Sequence, residues 1–435
     1  MFYILAFIAL FVLPASAWMP GVDRIITNET GSDLFNATGS WSASEKRWLS
    51  GSGKLRGVNL GSLFVIEPWL NQVAWGNMGC GDVRSEFDCV LKLGQGQANA
   101  VFQQHWDTWI TQNDIAQMQS FGLNTIRIPV GYWMMESLVY ADSEHFPQGA
   151  FRFLERICGW ASNAGFYISK LSLLLCFSLC EHLLISNVIV IDMHGAPGAQ
   201  VKENSFTGQY ASSSGFYVNW QFDRGVKFLT WLTQNIHSNN NFRNVGMIGI
   251  VNEPVQDSGT AATMRSQFYP NAFSAIRAAE AAAGVTPNNY LHIQPMNSAW
   301  GSGDPNEHLP NTYFAAYDDH RYLKWDSRVA VDQGSYIRTS CSDNRGGNSP
   351  TVVGEFSLSV PDNVQWSDGW HPNTQQNFYR RWFAAQVTSY ERNTIGWVFW
   401  TWKAQLGDYR WSYQDAVAAG VIPRNPQDVY SYGVC

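Results

Sequence analysis

The sequence is poor in charge, and this shortage excludes several classes of protein. Only 14% of the 435 residues are Asp, Glu, Lys or Arg, and the formal net charge is −7. Such a composition suits neither a disordered chain nor a coiled coil. The acidic balance argues against a polyanionic partner such as nucleic acid. With 45% hydrophobic residues, the sequence predicts a globular protein with ample material for a core.

Signals for metal, cofactor and membrane sites are also missing. No His/Cys cluster has the spacing of a zinc site, and no Gly-rich phosphate loop follows a strand. We therefore expect no metal and no organic cofactor. The internal apolar run at 171–179 is too short and too interrupted for a membrane span, which needs about 20 apolar residues. We therefore expect no membrane partner.

The seven cysteines are an odd number, so they cannot all pair within one chain. Cys80 and Cys89 lie nine residues apart in a Gly/Asp-rich loop, and they are the pair we expect to be joined in an oxidising compartment. Cys158 is predicted on a helix as a buried thiol. Cys341 and Cys435 have no assigned partner.

The N-terminus has the features of an exported chain. Residues 1–17 combine an apolar stretch with a final Ala-Ser-Ala, which predicts a secretory signal peptide cleaved after Ala17. Sequons at Asn28 and Asn36 are candidate glycosylation sites. These features predict a secreted protein.

Strand-like segments alternate with helical ones along most of the chain. After a short, partly β lead-in at 18–53, strands are predicted at 54–60, 124–130, 188–195, 244–252, 289–294, 312–320, 351–355 and 396–402. Amphipathic stretches between them predict helices at 107–120, 149–164, 216–236, 264–283 and 374–391. The alternation predicts one (β/α)8 barrel over residues 18–435, with its chemistry at the C-terminal ends of the strands.

One segment, at 169–189, interrupts this alternation before the third strand. Its removal leaves an ordinary turn and strand, Gly-Phe-Tyr-Ile-Val-Ile-Asp-Met-His-Gly. We interpret it as a translated intron or another gene-model error, which would also remove Cys176 and Cys180. The alternatives are a buried helical insertion and an interaction surface. Transcript reads that join the codons of Ile168 and Val190 would support the artefact, and uniform read-through would contradict it.

Two glutamates end apolar strands and are the candidate catalytic pair. The fourth strand stops at Asn252 and Glu253, where Pro254 cannot continue the ladder. Glu355 ends the seventh strand. Retaining cleavage of a glycosidic bond needs two carboxyl groups about 5–5.5 Å apart, one donating a proton and one attacking the anomeric carbon. The alternative is two ordinary surface carboxylates at loop starts.

Other polar and aromatic residues are predicted at the same barrel mouth. We expect Arg127 to hydrogen-bond the Glu355 carboxylate and keep its pKa low, although a structural salt bridge would give the same contact. We expect Tyr322 to hydrogen-bond the same carboxylate.

Two histidines and one tryptophan complete the predicted mouth. His194 and His320 end the third and sixth strands and are expected to bind sugar hydroxyls, although a lone His is more often structural. We expect only one of Trp400 and Trp402 to face inward, and Trp400 is the preferred floor of a sugar subsite.

The ordered set of motifs resembles glycoside hydrolase family 5. The resemblance spans essentially the whole chain after residue 17 except 169–189, and it rests on Arg127-Ile-Pro, Asp192-Met-His194-Gly, Asn252-Glu253-Pro, His320-x-Tyr322, Gly354-Glu355 and Trp400-Thr-Trp402. It implies a retaining barrel enzyme with Glu253 as proton donor and Glu355 as nucleophile. By the same resemblance, the residues that bind substrate or orient the carboxyls are Arg127, His194, Asn252, His320, Tyr322 and Trp400.

Within the family, the stretches 57–69 and 400–415 are most similar to fungal secreted endo-β-1,6-glucanases. Exo-β-1,3-glucanases share much of this framework and are the alternative. A non-catalytic glucan-binding wall protein is disfavoured, because both carboxyls and their partners are present. The resemblance implies a β-glucan polysaccharide as substrate. We expect a monomer that acts outside the cell or in the cell wall, without a cofactor.

Overall fold

The computed structural model describes residues 54–164 and 188–435. The predictions for the signal peptide at 1–17, the lead-in at 18–53, and the sequons at Asn28 and Asn36 fall outside these ranges. Most of the predicted insertion, including its two cysteines, also lies outside the described residues.

Eight parallel strands form a nearly closed barrel, so the predicted fold is confirmed. The sheet order is β5-β4-β3-β2-β1-β8-β7-β6, and isolated bridges Ile293↔Ala315 and Met296↔Asp318 join its two edges. The strands are β1 (Leu55–Asn59), β2 (Thr125–Gly131), β3 (Val188–Gly195), β4 (Val245–Gly249), β5 (His292–Gln294), β6 (Tyr317–Arg321), β7 (Thr351–Phe356) and β8 (Gly396–Phe399).

Helices follow most strands and cover the outside of the barrel. They are α1 (Gln72–Asn77), α2 (Glu86–Leu93), α3 (Gln95–Thr108), α4 (Gln112–Ser120), α5 (Phe151–Asn163), α6 (Asn219–Ser238), α7 (Tyr269–Ala282), α8 (Gln333–Ser342), α9 (Gln376–Asn393) and α10 (Tyr413–Ala418). Between β5 and β6, the described chain has a single 3-10 turn, Ser298–Trp300, in place of an α-helix.

The helix predicted at 107–120 is two helices, because the sequence contains a start signal inside it. Thr111 accepts a hydrogen bond from the Asp114 N–H through its hydroxyl, and Asp114 accepts one from the Thr111 N–H. This capping box satisfies donors that would otherwise be unpaired at a helix start. It begins α4 and separates it from α3.

The fourth strand is shorter than predicted. It leaves the regular ladder at Gly249, and afterwards only single backbone bonds continue, from Ile250 N to Gln294 O and from Asn252 N to Met193 O. Glu253 has φ +38°, which is incompatible with a strand. The proposed acid therefore stands on a loop beyond the strand.

The third strand has the predicted bounds, and this shortens the insertion. Val188 pairs with Thr125 and Ile189 with Ile126, in register with the rest of β3. The last two residues of the predicted segment 169–189 therefore belong to the barrel.

The inside of the barrel changes from apolar to polar toward the C-terminal ends of its strands. A separate buried cluster fills the lower part, namely Leu55, Val188, Val190, Met247, Ala316, Val352, Ile395 and Val398. Because side chains two positions apart share a face, Asp192 and His194 stand above Val190 on β3. The same alternation turns both into the barrel mouth, where TIM barrels place their chemistry.

Two disulfides are present among the described residues. The structure joins Cys80 to Cys89, the predicted pair, and Cys341 to Cys435, which the sequence left unassigned. Cys158 is a free, buried thiol, as predicted. None of the helices formed by residues 54–164 and 188–435 has the length and apolar character needed to cross a bilayer.

Candidate active site

Glu253 and Glu355 face each other across the barrel mouth, with His320 between them. One carboxylate oxygen of each glutamate and a ring nitrogen of His320 all lie within 4.8 Å of one another. This separation suits a retaining glycosidase, whose carboxyls are about 5–5.5 Å apart, and is too short for the about 6.5–9.5 Å of an inverting one. The two predicted catalytic residues are thus brought together.

The Glu355 carboxylate is held by three side chains. Its Oε1 accepts a hydrogen bond from Arg127 Nη1 at 2.9 Å, and its Oε2 accepts one from the Tyr322 hydroxyl at 2.8 Å. The Nδ1 atom of His320 lies 3.5 Å from Oε2. The predicted contacts of Arg127 and Tyr322 are therefore present, and the Glu355 carboxylate has a defined orientation.

The protonation expected for Glu355 needs correction. Burial raises the pKa of Glu355, and the cations His320 and Arg127 oppose this effect without cancelling it, so the pKa lies above its ordinary value. The prediction that Arg127 keeps this pKa low is wrong, because loss of hydration of the charged form outweighs the ion pair. Arg127 limits the rise.

His320 bridges the two glutamates as a cation. Its Nδ1 lies 2.7 Å from Glu253 Oε1, and its Nε2 lies 3.5 Å from Asp318 Oδ2. Burial alone would lower the pKa of His320, but the carboxylates of Glu355 and Asp318 outweigh it and raise the pKa well above its ordinary value. His320 therefore donates its Nδ1 proton to Glu253.

The same three residues are close enough together to share a metal ion. A histidine must be neutral to ligate a metal, however, and the surroundings of His320 favour its protonated form. Protonated His320 therefore suits hydrogen bonding to the two carboxyls better than it suits ligation of a metal.

Arg127 is the centre of a buried polar network below the carboxyl pair. It donates to Asn59 Oδ1 at 3.0 Å and to Asn252 Oδ1 at 2.8 Å, and its Nη2 lies 3.1 Å from Asp192 and 3.4 Å from Asp318. Burial alone would raise the pKa of Asp192, but Arg127 and His194 hold it below its ordinary value. Arg127 thus links the predicted residues Asn252 and Glu355 through one guanidinium group.

Two glycines make room for the carboxylates in this network. A Cβ atom on Gly249 would collide with the Asp192 carboxylate, and one on Gly354 would collide with that of Asp318. The small residues in β4 and β7 therefore let two acidic side chains enter the barrel.

His194 and Trp400 form one stacked pair at the mouth. Their rings are 5.6 Å apart and nearly parallel, at 6°. Asp192 Oδ2 accepts from His194 Nδ1 at 2.9 Å, which fixes the imidazole plane. Trp402 points away toward α4, where its Nε1 donates to Asp114 at 2.9 Å. Trp400 is thus the tryptophan that faces the site, as we preferred; the two indoles diverge because β8 ends at Phe399 and strand alternation no longer applies beyond it.

Tyr322 also belongs to an aromatic wall made by Trp69, Trp325 and Trp411. The Tyr322 ring lies 4.9 Å from that of Trp325 and 6.0 Å from that of Trp411, and Trp69 meets Trp411 edge-on at 5.0 Å. Trp325 is 64% exposed, so this wall offers an open aromatic face near Glu355. Such faces suit the C–H surfaces of sugar rings.

Sequence reasoning missed a third acid near the pair, Glu67. It is buried, and it accepts a hydrogen bond from Trp69 Nε1 at 2.9 Å. Burial raises the pKa of Glu67 to about 8. The hydrogen bond from Trp69 opposes this rise, and the charges of Glu355 and Glu253 add to it. The available signal was a glutamate inside the otherwise apolar stretch 63–70.

Asn59, Asp192 and Asp318 were also not predicted as site residues. Each lies in a strand on the face that turns into the barrel, two positions from another inward residue. Counting alternate positions along β3 and β6 would have found the two aspartates.

Comparison with known sequences identifies a family. Residues 187–406 match the sequence model of the cellulase family, glycosyl hydrolase family 5. The chain is 58% identical over 432 residues to glucan endo-1,6-beta-glucosidase B of Emericella nidulans, covering 98% of this chain and all of the relative. It is 28% identical to a probable glucan 1,3-beta-glucosidase A of Aspergillus fumigatus, over 86% of this chain and 88% of the relative.

A solved structure shares the fold. The crystal structure of rutinosidase from Aspergillus niger superposes with a TM-score of 0.63 at 18% sequence identity, covering 85% of this chain and 97% of that one. At this identity the likeness concerns the barrel alone.

Proposed function

Because this chain belongs to glycosyl hydrolase family 5, we propose that it hydrolyses the β-1,6-linked glucan of fungal cell walls at internal bonds, with retention of configuration. The observation that carries the mechanism is the carboxyl pair, whose oxygens lie within 4.8 Å. The observation that carries the substrate is the 58% identity to a glucan endo-1,6-beta-glucosidase over nearly the full length of both chains.

In the first step, Glu253 gives its proton to the glycosidic oxygen while Glu355 attacks the anomeric carbon. The carbon–oxygen bond to the leaving sugar breaks, and an ester bond to Glu355 forms. Arg127 and the Tyr322 hydroxyl hold the attacking oxygens in place. Burial raises the pKa of Tyr322 well above its ordinary value, with the charge of Glu355 adding to it, so the hydroxyl remains a donor.

In the second step, water displaces the ester. Glu253 takes a proton from this water, the oxygen of which bonds to the anomeric carbon, and Glu355 leaves as a carboxylate. Two inversions restore the original configuration. Asn252, His194 and Trp400 line the same mouth, and we assign them to substrate binding.

Substrate preference is tested by comparing two polymers. Release of gentio-oligosaccharides from pustulan, a β-1,6-glucan, is expected, with little product from laminarin, a β-1,3-glucan. Release of glucose alone from laminarin would favour the exo-β-1,3 alternative. The higher identity to the 1,6-specific relative, 58% against 28%, supports the first outcome.

The catalytic roles are tested with Glu253→Gln and Glu355→Gln. These replacements keep the side-chain shape and remove the acid. Loss of pustulan hydrolysis in both is expected, and unchanged hydrolysis in either would overturn the assignment. Glu307→Gln, an exposed glutamate paired with Arg265, is the matched control.

We also propose that the protein is exported and acts as a monomer. The leader-like residues 1–17 and the two disulfides support export into an oxidising compartment. A mature N-terminus at Trp18 in culture medium and a single-chain mass in light scattering are the expected results. Expression with and without 169–187 tests whether the inserted segment affects activity.

A further inference from the structure

We propose that Gln200 and Tyr217 are positioning residues, which hold Glu253 in place for proton donation through the backbone on either side of it. Both lie in the connection between β3 and α6 and act on main-chain atoms. The inference rests on the proposed function, since it assumes that Glu253 is the acid.

The backbone of Glu253 needs such support. Its φ of +38° lies in the left-handed region, which non-glycine residues seldom adopt and which persists only when the surroundings hold it. Regular strand pairing has already ended at Gly249. The ladder of β4 therefore does not fix the direction in which the Glu253 side chain leaves the loop.

Gln200 fixes the residue before Glu253. Its side chain is fully buried, and its Nε2 donates to His194 O at 2.7 Å and to Asn252 O at 2.9 Å. Its Oε1 accepts from Ala196 N at 3.1 Å. One amide thus ties the end of β3 to the carbonyl directly before the proposed acid.

Tyr217 fixes the residue two positions after Glu253. Its hydroxyl accepts from Val255 N at 2.8 Å and donates to Gln200 O at 2.9 Å. Burial raises the pKa of Tyr217, against the opposing effect of the Val255 N–H, so the hydroxyl keeps its proton in neutral solution. Gln200 and Tyr217 therefore form one connected clamp.

A third contact completes the support from the opposite side of the loop. Trp300 Nε1 donates to Pro254 O at 2.8 Å. The carbonyl of Asn252, the carbonyl of Pro254 and the N–H of Val255 are then all bound by side chains. Because a displacement of about 1 Å can cost about 100-fold in rate, this clamp sets how well the acid reaches the glycosidic oxygen.

The test compares two leaving groups on one β-1,6-linked oligosaccharide. A sugar leaving group needs the proton from Glu253, whereas 2,4-dinitrophenolate departs without one. For Tyr217→Phe, kcat/KM should fall about tenfold with the sugar leaving group and less than about twofold with the dinitrophenyl group. A purely structural role would lower both values alike.

Tyr379→Phe is the matched control. The Tyr379 hydroxyl also donates to a carbonyl, that of Trp370, and accepts an N–H, from Arg410, but it lies in another part of the fold. It should lower the melting temperature without changing the ratio of the two kcat/KM values. Gln200→Met, similar in length but without the amide, is the second variant if Tyr217→Phe does not fold.

The outcomes separate the two proposals. An equal fall for both leaving groups in Tyr217→Phe, or no fall, overturns the positioning role while Glu253→Gln still shows the difference between leaving groups. If Glu253→Gln lowers both values alike, Glu253 is not the acid, and the proposed mechanism is overturned together with the clamp.

Discussion

The two carboxyls of the site are held in different ways. Glu355 lies within β7, its side chain is 6% exposed, and Arg127, Tyr322 and His320 surround its oxygens. Glu253 lies on a loop, its side chain is 18% exposed, and its carboxyl contacts His320. The proposed nucleophile is thus oriented by side chains at its carboxylate, and we propose that the acid is oriented through the backbone beside it.

This difference fits the two proposed tasks, nucleophilic attack by Glu355 and proton transfer by Glu253. An attacking oxygen must meet one carbon along one line, which favours fixed contacts at the carboxylate. A group that first gives and then takes a proton needs a carboxyl that can serve two different oxygens, so its support is better placed in the main chain. Substitutions can separate the two kinds of support.

The largest effect is expected when each carboxyl is removed. Glu355→Ala should lower hydrolysis by about 10⁴-fold or more, because no ester can form. With a dinitrophenyl glycoside and added azide, it should yield the α-glycosyl azide, since one displacement inverts the carbon. Glu253→Ala should yield the β-glycosyl azide, because azide then attacks the ester. Proton NMR distinguishes the two anomeric products. If Glu355→Ala gave the β-azide and Glu253→Ala the α-azide, the roles of the two glutamates would be reversed.

A smaller effect, on stability, is expected for Arg127→Met. Removing the cation leaves Asp192, Asp318 and Glu355 buried without their partner, which should cost about 3–5 kcal/mol in urea unfolding. The pKa of Glu355 should rise further, so activity should begin to fall at a higher pH on acidification than in the parent enzyme. An unchanged acid limb would contradict the role assigned to Arg127.

The smallest effect is expected for Tyr322→Phe. Loss of a hydrogen bond to a charged group is worth about 1.5–3 kcal/mol, or about tenfold to 150-fold in kcat/KM. The fall should be equal for sugar and dinitrophenyl leaving groups, because the nucleophile serves both. Tyr217→Phe makes the same chemical change beside Glu253. Its kcat/KM should fall mainly with the sugar leaving group. If Tyr322→Phe lowered kcat/KM only with the sugar leaving group, the assignment of Tyr322 to the support of Glu355 would be contradicted.

Much of the fold follows from alternation along the sequence. The third strand was predicted with its observed bounds, and the family and barrel predictions are confirmed. The fourth strand was predicted to be longer than it is, because an apolar run does not reveal where hydrogen bonding to the neighbouring strands stops. The Cys341–Cys435 bond joins residues 94 apart and depends on where the chain returns.

The residues that form the site were predicted better than the pKa of its carboxyl groups. Motif positions brought Glu253, Glu355 and their partners to one mouth, but the pKa of Glu355 depends on how completely its carboxyl loses water. The clamp of Gln200 and Tyr217 had no local signal either. It arises because two segments of one connection, 198–199 and 215–216, pair through their backbones and bring both side chains under the acid.

Glu67 adds a third buried or partly buried carboxyl to the mouth, beside the two proposed catalytic ones. With a pKa of about 8, it is neutral in acidic and neutral media and gains a charge only in alkaline solution. That charge would appear on a buried side chain that already feels the charges of Glu355 and Glu253, and like charges repel. We therefore expect the charge gained by Glu67 to contribute to any loss of activity in alkaline solution, and changes in the loop that admit water to Glu67 should shift the pH at which this contribution appears.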